Sequence, residues 1–343
     1  MKLDAVFSVA PAQMNDAALI ARTVEEIGFA GLWSGETRHN GYLPLVIVAQ
    51  QSERIELGPS VAIAFPRSPM VTAQLAWDLQ AFSHGRFILG LGTQVRSHIE
   101  QRFGMAWDPP IAKIRDYIQA MRAIWNTFQT GVPLNYRGRF YKHTLMLPLF
   151  NPGPIEHPHI PIYLAGVNKG LMRLAGELCE GFHVHPFHSV KYLNEIIRPQ
   201  VAAGAARAQR AAADVVLAAG VFTITGPDEA TMDLVRARVR QQIAFYASTP
   251  SYRVVLAVHG WEEVGGQLTR LAALRRWDEM GKLITDDMLD AFAIQAPFGR
   301  VGQALCERYS DVLDRVACYI PFVPGGWDDM WRDTVATVHR TNA

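Results

Sequence analysis

The apolar positions of this chain change period repeatedly along its length. Residues 3–9 form a short strand-like run, and AALIARTVEEIG (17–28) then sets Ala18, Ile20, Ala21, Val24 and Ile27 at helical spacing. Asn15 and Asp16 offer the expected N-cap of that helix and Gly28 its stop. FAGLWSGE (29–36) reads as a second strand, 44–51 as a helix, 55–65 as a third strand, 69–82 as a helix, and 86–92 as a short apolar strand ending on glycine. A helix over 112–128 follows. The alternation then lapses in 130–159, a stretch rich in Pro, Gly and aromatic residues that reads as an excursion. It resumes with strands at 161–165, 181–184 and 215–225, interleaved with helices at 169–178, 190–209 and 229–246. Residues 253–290 carry only helical signals, and 315–319 is the last strand candidate.

Eight short, continuously apolar strands alternating with helices predict a parallel sheet covered on its faces. Two architectures supply that. An open doubly wound sheet calls for a G-x-G-x-x-G turn directly after the first strand, where this chain has SVAPAQMND. The expectation is therefore an α/β fold, a (β/α)₈ TIM barrel forming one domain over 1–343, with an excursion at about 130–159 and a helical insertion at about 247–290. The Ala-rich AAGAARAQRAAA is expected to be an exposed helix end.

Composition narrows the function classes. With 49% hydrophobic residues the chain can fill a large core, and its 33 basic and 32 acidic side chains nearly cancel. That balance provides no global field for nucleic acid or an anionic membrane, so an acidic ligand needs a local basic cluster. Cys179, Cys306 and Cys318 are too scattered for a disulfide framework or a cysteine-based zinc site. No uninterrupted apolar run reaches a membrane-spanning length, and residues 2–9 are too short and weakly apolar for a signal sequence. A cytoplasmic globular protein is expected.

A barrel of this kind carries its chemistry at the C-terminal ends of its strands. Those ends offer Ser8 and Pro11; Glu36, Arg38 and His39; Phe65 to Ser68; Thr93 to Arg96; Gly166 to Lys169; and His185 to His188. LAGVNKG follows a strand and opens a helix, so its backbone N–H groups can approach an anion, with Lys169 and Arg173 adding charge. The alternative is a plain chain turn at Gly166. GLGTQVRS places Thr93 and Gln94 as donors for a phosphate or a heterocycle edge, or as an ordinary polar loop. HVHPFHS brings His183, His185 and His188 together without a neighbouring carboxylate and without H-E-x-x-H, which disfavours a metal. A proton donor or substrate partner with a pKa near neutrality is favoured instead. G-x-S-x-G and Walker A sequences are absent. Glu36 is the one carboxylate at a strand end, so no glycosidase pair is apparent. Redox chemistry on a bound cofactor contradicts the fewest of these features.

The set SERIELGPSVAIAFPRSPMVTAQLAWDLQAFSHGRFILGLGT, AGVNKGLMRLAGELCEGFHVHPF and EIGFAGLWSGE resembles the luciferase-like monooxygenase superfamily. GETRHN, GLGTQVRSHIEQRFGMAW and AFYASTPSYRVVLAVHGW look most like its coenzyme F420-dependent oxidoreductases. The resemblance implies F420 as cofactor, with FMN as the alternative. The phosphate would lie on Gly166, Val167, Asn168 and Lys169 near Thr93 and Gln94, and the ring on a bulged third strand with a non-proline cis peptide within Ser60–Val61–Ala62. Relatives often carry Asp-His after the second strand. This chain has Glu36, Thr37 and then His39, so His39 is the expected proton donor and Glu36 a ring or substrate contact. His185 and His188 are the expected substrate partners, and at most three of Arg38, Arg67, Arg96, Lys169 and Arg173 are expected to line the exit of an acidic cofactor tail. The implied activity is hydride transfer between deazaflavin C5 and a small organic substrate. Its rivals are an FMN-dependent monooxygenase and a non-catalytic cofactor-binding barrel. A homodimer is expected, and a reductase supplying reduced cofactor is a further candidate partner.

Overall fold

The computed structural model describes residues 1–7 and 14–342, so the strand-end candidates Ser8 and Pro11 lie outside the described residues. Its barrel strands are β1 (Lys2–Phe7), β2 (Gly31–Ser34), β3 (Glu56–Pro59), β4 (Ala62–Ile63), β5 (Leu89–Gly92), β6 (Ile162–Ala165), β7 (Gly181–Val184), β8 (Val216–Ile224) and β9 (Arg315–Pro321). They pair in the order β3-β2-β1-β9-β8-β7-β6-β5-β4, and every pairing is parallel. A bridge between Leu57 and Phe87 also ties β3 to the entry of β5. Because β4 continues β3 along the chain, nine segments form eight staves of a nearly closed barrel. The open doubly wound sheet is excluded.

Both faces of these strands are covered, which is why they read as continuous apolar runs. GLWS, LGLG and GFHV are buried at every position. One large core lies between strands and helices, while Trp33, Ile88, Tyr163 and Ala218 form a separate cluster inside the barrel. The helices carrying the outer core include α1 (Asp16–Ile27), α2 (Leu43–Gln51), α3 (Pro69–Phe82), α4 (Pro110–Thr130), α5 (Lys169–Leu178), α6 (Arg198–Arg207) and α7 (Glu229–Ala247). Among the described residues, no helix is long and apolar enough to cross a membrane.

Two local expectations need correction, and two short elements come in addition. Asn15 is already in helical conformation (φ −65°, ψ −26°) and makes no side-chain cap, whereas Gly28 does end α1 in the left-handed region at φ +97°. The helix expected over 190–209 is interrupted by a π-turn at Leu193–Ile197. Pro199 explains it, having no N–H to give and a ring that crowds the carbonyl of Glu195. Ala293–Gln295 forms a short parallel strand against Phe222–Ile224, too brief to register as a pattern. The excursion contains an antiparallel hairpin of Tyr136–Arg137 with Lys142–His143, pinned by Asp116, which accepts from the Tyr136 hydroxyl and from the Phe140 and Tyr141 N–H groups.

The Ala-rich segment is likewise more than an exposed helix end. Val201, Gly204 and Ala205 are buried against α5. A Cβ at Gly204 would sit 1.9 Å from the Arg173 carbonyl oxygen, and one at Gly176 would sit 2.0 Å from that of Val201. The two helices therefore touch backbone to backbone. Gly204→Val is expected to lower stability by about 1–3 kcal/mol, the usual cost of overpacking. Urea unfolding would measure this, and an unchanged midpoint would refute the close seam.

Candidate active site at the C-terminal rim of the barrel

Side chains alternate inward and outward along each strand, and the inward ones can be followed from the interior cluster of Trp33, Ile88, Tyr163 and Ala218. Stepping two residues toward the C-terminal ends from these gives Gly35, Gly90 and then Gly92, Ala165, and Gly220. Parallel register sets Gly92 beside Ala165, Ala165 beside His183, and Gly220 beside Ala317. Above a plug of Trp33, Tyr163 and His183, the β5, β6 and β8 staves thus present little or no side chain. A Cβ added to Gly92 would meet the Val61 side chain at 2.8 Å. The rim is a shallow hollow floored on one side by Val61.

Val61 follows a non-proline cis peptide, Ser60–Val61, at the break between β3 and β4, within the three residues expected from the sequence. The Ser60 N–H donates to the Ser34 carbonyl (2.7 Å), tying the bulge to β2. Glu36 ties it a second time. Its carboxylate accepts from the Ile63 N–H (2.7 Å) and from both terminal nitrogens of Arg67, one at 2.9 Å, while Arg67 also donates to the Ile63 carbonyl (2.9 Å). The Arg67 guanidinium lies over the Tyr42 ring at 5.2 Å. Burial pulls the Arg67 pKa down, but the paired Glu36 outweighs it and the group stays charged. Neither side chain stands ready for the role expected of it. Glu36 is spent on the bulge, and Arg67 points to Glu36 instead of a ligand tail. Arg38 and His39, two and three residues on, stand exposed on the same loop.

On the opposite side, α5 starts at the rim. Asn168 is its N-cap, and its side-chain oxygen accepts from the Leu171 N–H at 2.9 Å. That leaves the N–H groups of Lys169 and Gly170, which have no carbonyl partner within the helix, directed at the rim. Gly166 must be glycine, since a Cβ there would fall 2.4 Å from Leu171 Cδ1. The Val167 carbonyl accepts from the Tyr192 hydroxyl (3.4 Å). Such a turn is chemically suited to an anion. Thr93, which follows Gly92 on the neighbouring stave, is buried and donates to the Gln94 carbonyl (3.2 Å); Gln94 itself is held at φ +59°, its side-chain oxygen accepting from the Val95 N–H.

The three histidines of HVHPFHS go to three different places. His183 belongs to the interior plug, edge-on to Trp33 at 5.1 Å, with Nε2 unpartnered. His188 is buried behind the rim against Tyr309, its Nδ1 within 2.9 Å of the His185 carbonyl, so it cannot be the substrate contact expected of it. Only His185 reaches the mouth. Burial drives His183 and His185 down to about 3 and His188 to about 4, so all three are neutral at physiological pH. The expectation of a group titrating near neutrality fails for this run because each ring loses its water on folding. Among the described residues no three His, Cys, Asp or Glu side chains converge to hold a metal ion.

Two features escaped the sequence reading. One is an aromatic wall around His185, formed by Phe222, Tyr246, Tyr252 and Tyr319. The period-two position of Tyr319 at the end of β9 was the available signal. The other is an ion cluster inside the barrel. Asp4 accepts from Arg315 Nε (2.8 Å) and Nη2 (2.7 Å) and from the Trp33 indole (2.9 Å), and Arg315 also donates to Glu56. An acid on β1 and a base on β9 at inward positions were the clue.

The comparisons with known proteins agree with this geometry. The family model for luciferase-like monooxygenase matches residues 5–315. An uncharacterised protein of Mycobacterium tuberculosis is 42% identical over 306 residues, covering 89% of this chain and 90% of that one. The 5,10-methylenetetrahydromethanopterin reductase of Archaeoglobus fulgidus is 29% identical over 313 residues, 88% of this chain and 89% of its own. The coenzyme F420-dependent tetrahydromethanopterin reductase of Methanopyrus kandleri superposes with a TM-score of 0.78 at 21% identity, over 99% of both chains. This chain belongs to the luciferase-like monooxygenase family, and its barrel is the family's barrel.

Proposed function

We propose that the chain is an oxidoreductase that binds coenzyme F420 across the barrel rim and transfers a hydride to or from a small organic substrate. The observation that carries this reading is the hollow of small inward residues lying between a bulged strand and the anion-suited start of α5. The residues fit a flat ring with a phosphate. A Cβ at Gly92 would press on Val61, the side chain that floors the hollow, and the first N–H groups of α5 have no other partner in the helix. In this arrangement Gly166, Val167, Asn168 and Lys169 hold the phosphate, with Thr93 and Gln94 beside it. Ser60, Val61 and Ala62 support the ring from below. When bound, the deazaflavin supplies two-electron hydride chemistry at C5. His39, exposed on the β2 loop, holds or releases the matching proton. Glu36 is a positioning residue, acting on the site through Ile63 and Arg67.

An FMN-dependent monooxygenase is the second reading, favoured by the match to the luciferase-like monooxygenase model. Fluorescence titrations with F420 and FMN side by side separate the two. Tighter F420 binding is expected, and tighter FMN binding with oxygen-dependent turnover would overturn it. Stoichiometric binding without turnover on a broad substrate panel, unaltered by His39→Ala, would instead identify a non-catalytic binding barrel. Gly92→Val is expected to weaken cofactor binding at least ~100-fold, a loss of about 2.7 kcal/mol, with an unchanged circular dichroism spectrum. Undiminished affinity in that variant would place the ring elsewhere.

A further inference from the structure

The rim has two unlike halves. The β5 and β6 staves end in Gly92 and Ala165, whereas β7, β8 and β9 end in rings. Register places His183 beside Ala218, so two residues on His185 stands level with Gly220. Glycine at 220 lets the Tyr319 ring lie flat on β8, because a Cβ there would be 3.0 Å from its Cδ2. Tyr246 meets the His185 ring edge-on at 4.6 Å, and Tyr252 meets it at 4.6 Å from another direction. The Tyr246 and Tyr319 hydroxyls lie 3.2 Å apart, and Phe222 packs edge-on to Tyr319 at 5.6 Å. Tyr246 and Tyr252 come from the end of α7 and the turn after it, so these two pieces of chain close this half of the mouth.

The wall has a definite hydrogen-bonding sense. His185 Nδ1 accepts the Phe187 N–H (3.1 Å), so the neutral ring carries its proton on Nε2. Among the described residues, Nε2 bonds no protein group, and it is not one of the buried polar atoms lacking a partner, so it faces the mouth. Burial keeps this imidazole neutral, and it likewise raises the Tyr252 phenol to about 12 and the Tyr319 phenol further. Among the described residues, the groups acting electrostatically on these three rings are other rings; none is a carboxylate or a cation.

We infer that this wall is the substrate side of the mouth and that it takes an uncharged, planar carbonyl compound, its oxygen accepting from His185 Nε2. The inference rests on the oxidoreductase reading of the rim. A charged ligand here would lose its hydration with no counter-charge to replace it. Edge-on rings offer flat apolar surface to another ring. The wall supplies N–H and O–H donors, so the ligand must bring the acceptor.

The test uses the full chain with and without its cofactor, and two probes that share one ring: acetophenone and benzoate. Calorimetric titration of the loaded protein is expected to show saturable acetophenone binding, with benzoate at least ~10-fold weaker for want of a counter-charge. The carbonyl stretch of bound ¹³C-acetophenone should shift to lower frequency, and the shift should vanish in His185→Phe. Tyr252→Ala should weaken acetophenone at least ~10-fold while leaving the cofactor fluorescence titration unmoved. Tyr252→Phe, which keeps the ring, should restore binding. Benzoate binding as tightly as acetophenone, no saturation by acetophenone, or an unshifted carbonyl in the unsubstituted protein would each overturn the inference. A chain that binds acetophenone with these features but neither F420 nor FMN would retain the wall as a binding site and remove the oxidoreductase reading.

Discussion

Asp4→Ala is expected to cost about 3–5 kcal/mol of folding stability, the usual penalty for orphaning a buried charge. Arg315 and Asp4 are 3% and 2% exposed at their side chains, joined by two parallel bonds inside the barrel. Removing the carboxylate leaves the guanidinium with Glu56, itself shared with the exposed Lys2, and with the Trp33 face at 5.2 Å. Neither replaces a bidentate partner in a water-poor interior. The indole N–H of Trp33 loses its acceptor at the same time. Since a domain's net stability is only about 5–15 kcal/mol, this one change should remove a large part of it. Replacing the pair together, Asp4→Leu with Arg315→Met, should recover most of the loss, because well-packed apolar substitutes avoid the desolvation cost altogether. Urea unfolding of the two variants decides the matter. A loss below about 1 kcal/mol for Asp4→Ala would mean that water reaches the pair and screens it.

The same cluster shows what can be read from such a chain and what cannot. The strand–helix alternation survives in a single sequence because it depends on local period, and the barrel follows once eight parallel strands must all be covered. In the sequence, the stretches at 130–159 and 247–290 stand out as interruptions of that period. Partnerships across the barrel are not local. Asp4 and Arg315 are 311 residues apart, and only closure of β1 on β9 brings them together. Glu36 illustrates the same limit at the site. Its position at a strand end was legible, but not its occupation by Arg67 and the Ile63 N–H, which depends on how the β3–β4 break folds. The α5 turn was easier, because a glycine, a capping asparagine and a helix start are contiguous in LAGVNKG. Of the two histidines expected to meet a substrate, His185 lies at the rim and His188 is buried away from it. Alternation along β7 sends His183 to the plug and His185 to the rim, and Pro186 then turns the chain so that His188 falls behind both.

Those histidines lead to the second large effect, acid lability between about pH 6.5 and 4. In the unfolded chain each takes up a proton near its ordinary pKa of about 6.5. In the folded chain burial holds His183 near 3 and His188 near 4, so across this window the unfolded state binds protons that the native state refuses. Stability is then full above the unfolded pKa and falls as the pH drops, by about 1.4 kcal/mol per pH unit for each histidine. His185 shifts in the same direction but is partly open at the mouth, so its share is smaller. Together they should remove roughly 3–4 kcal/mol between pH 7.5 and 5.5. Below about pH 4 the native state begins to take up its own protons, and this contribution levels off. Carboxylate pairs act in the same direction, but their stabilisation is lost only at lower pH, so they do not produce the slope in this range. His188→Leu isolates one proton of the effect. It forfeits the bond to the His185 carbonyl at neutral pH, but its stability should fall less steeply on acidification by one histidine's worth. Urea unfolding of both proteins at pH 5.5, 6.5, 7.5 and 8.5 gives the two slopes. Equal stability of the unsubstituted protein at 5.5 and 7.5 would mean that these rings are hydrated or find proton-accepting partners in the folded state, and parallel slopes for the two proteins would clear His188 of any part in it.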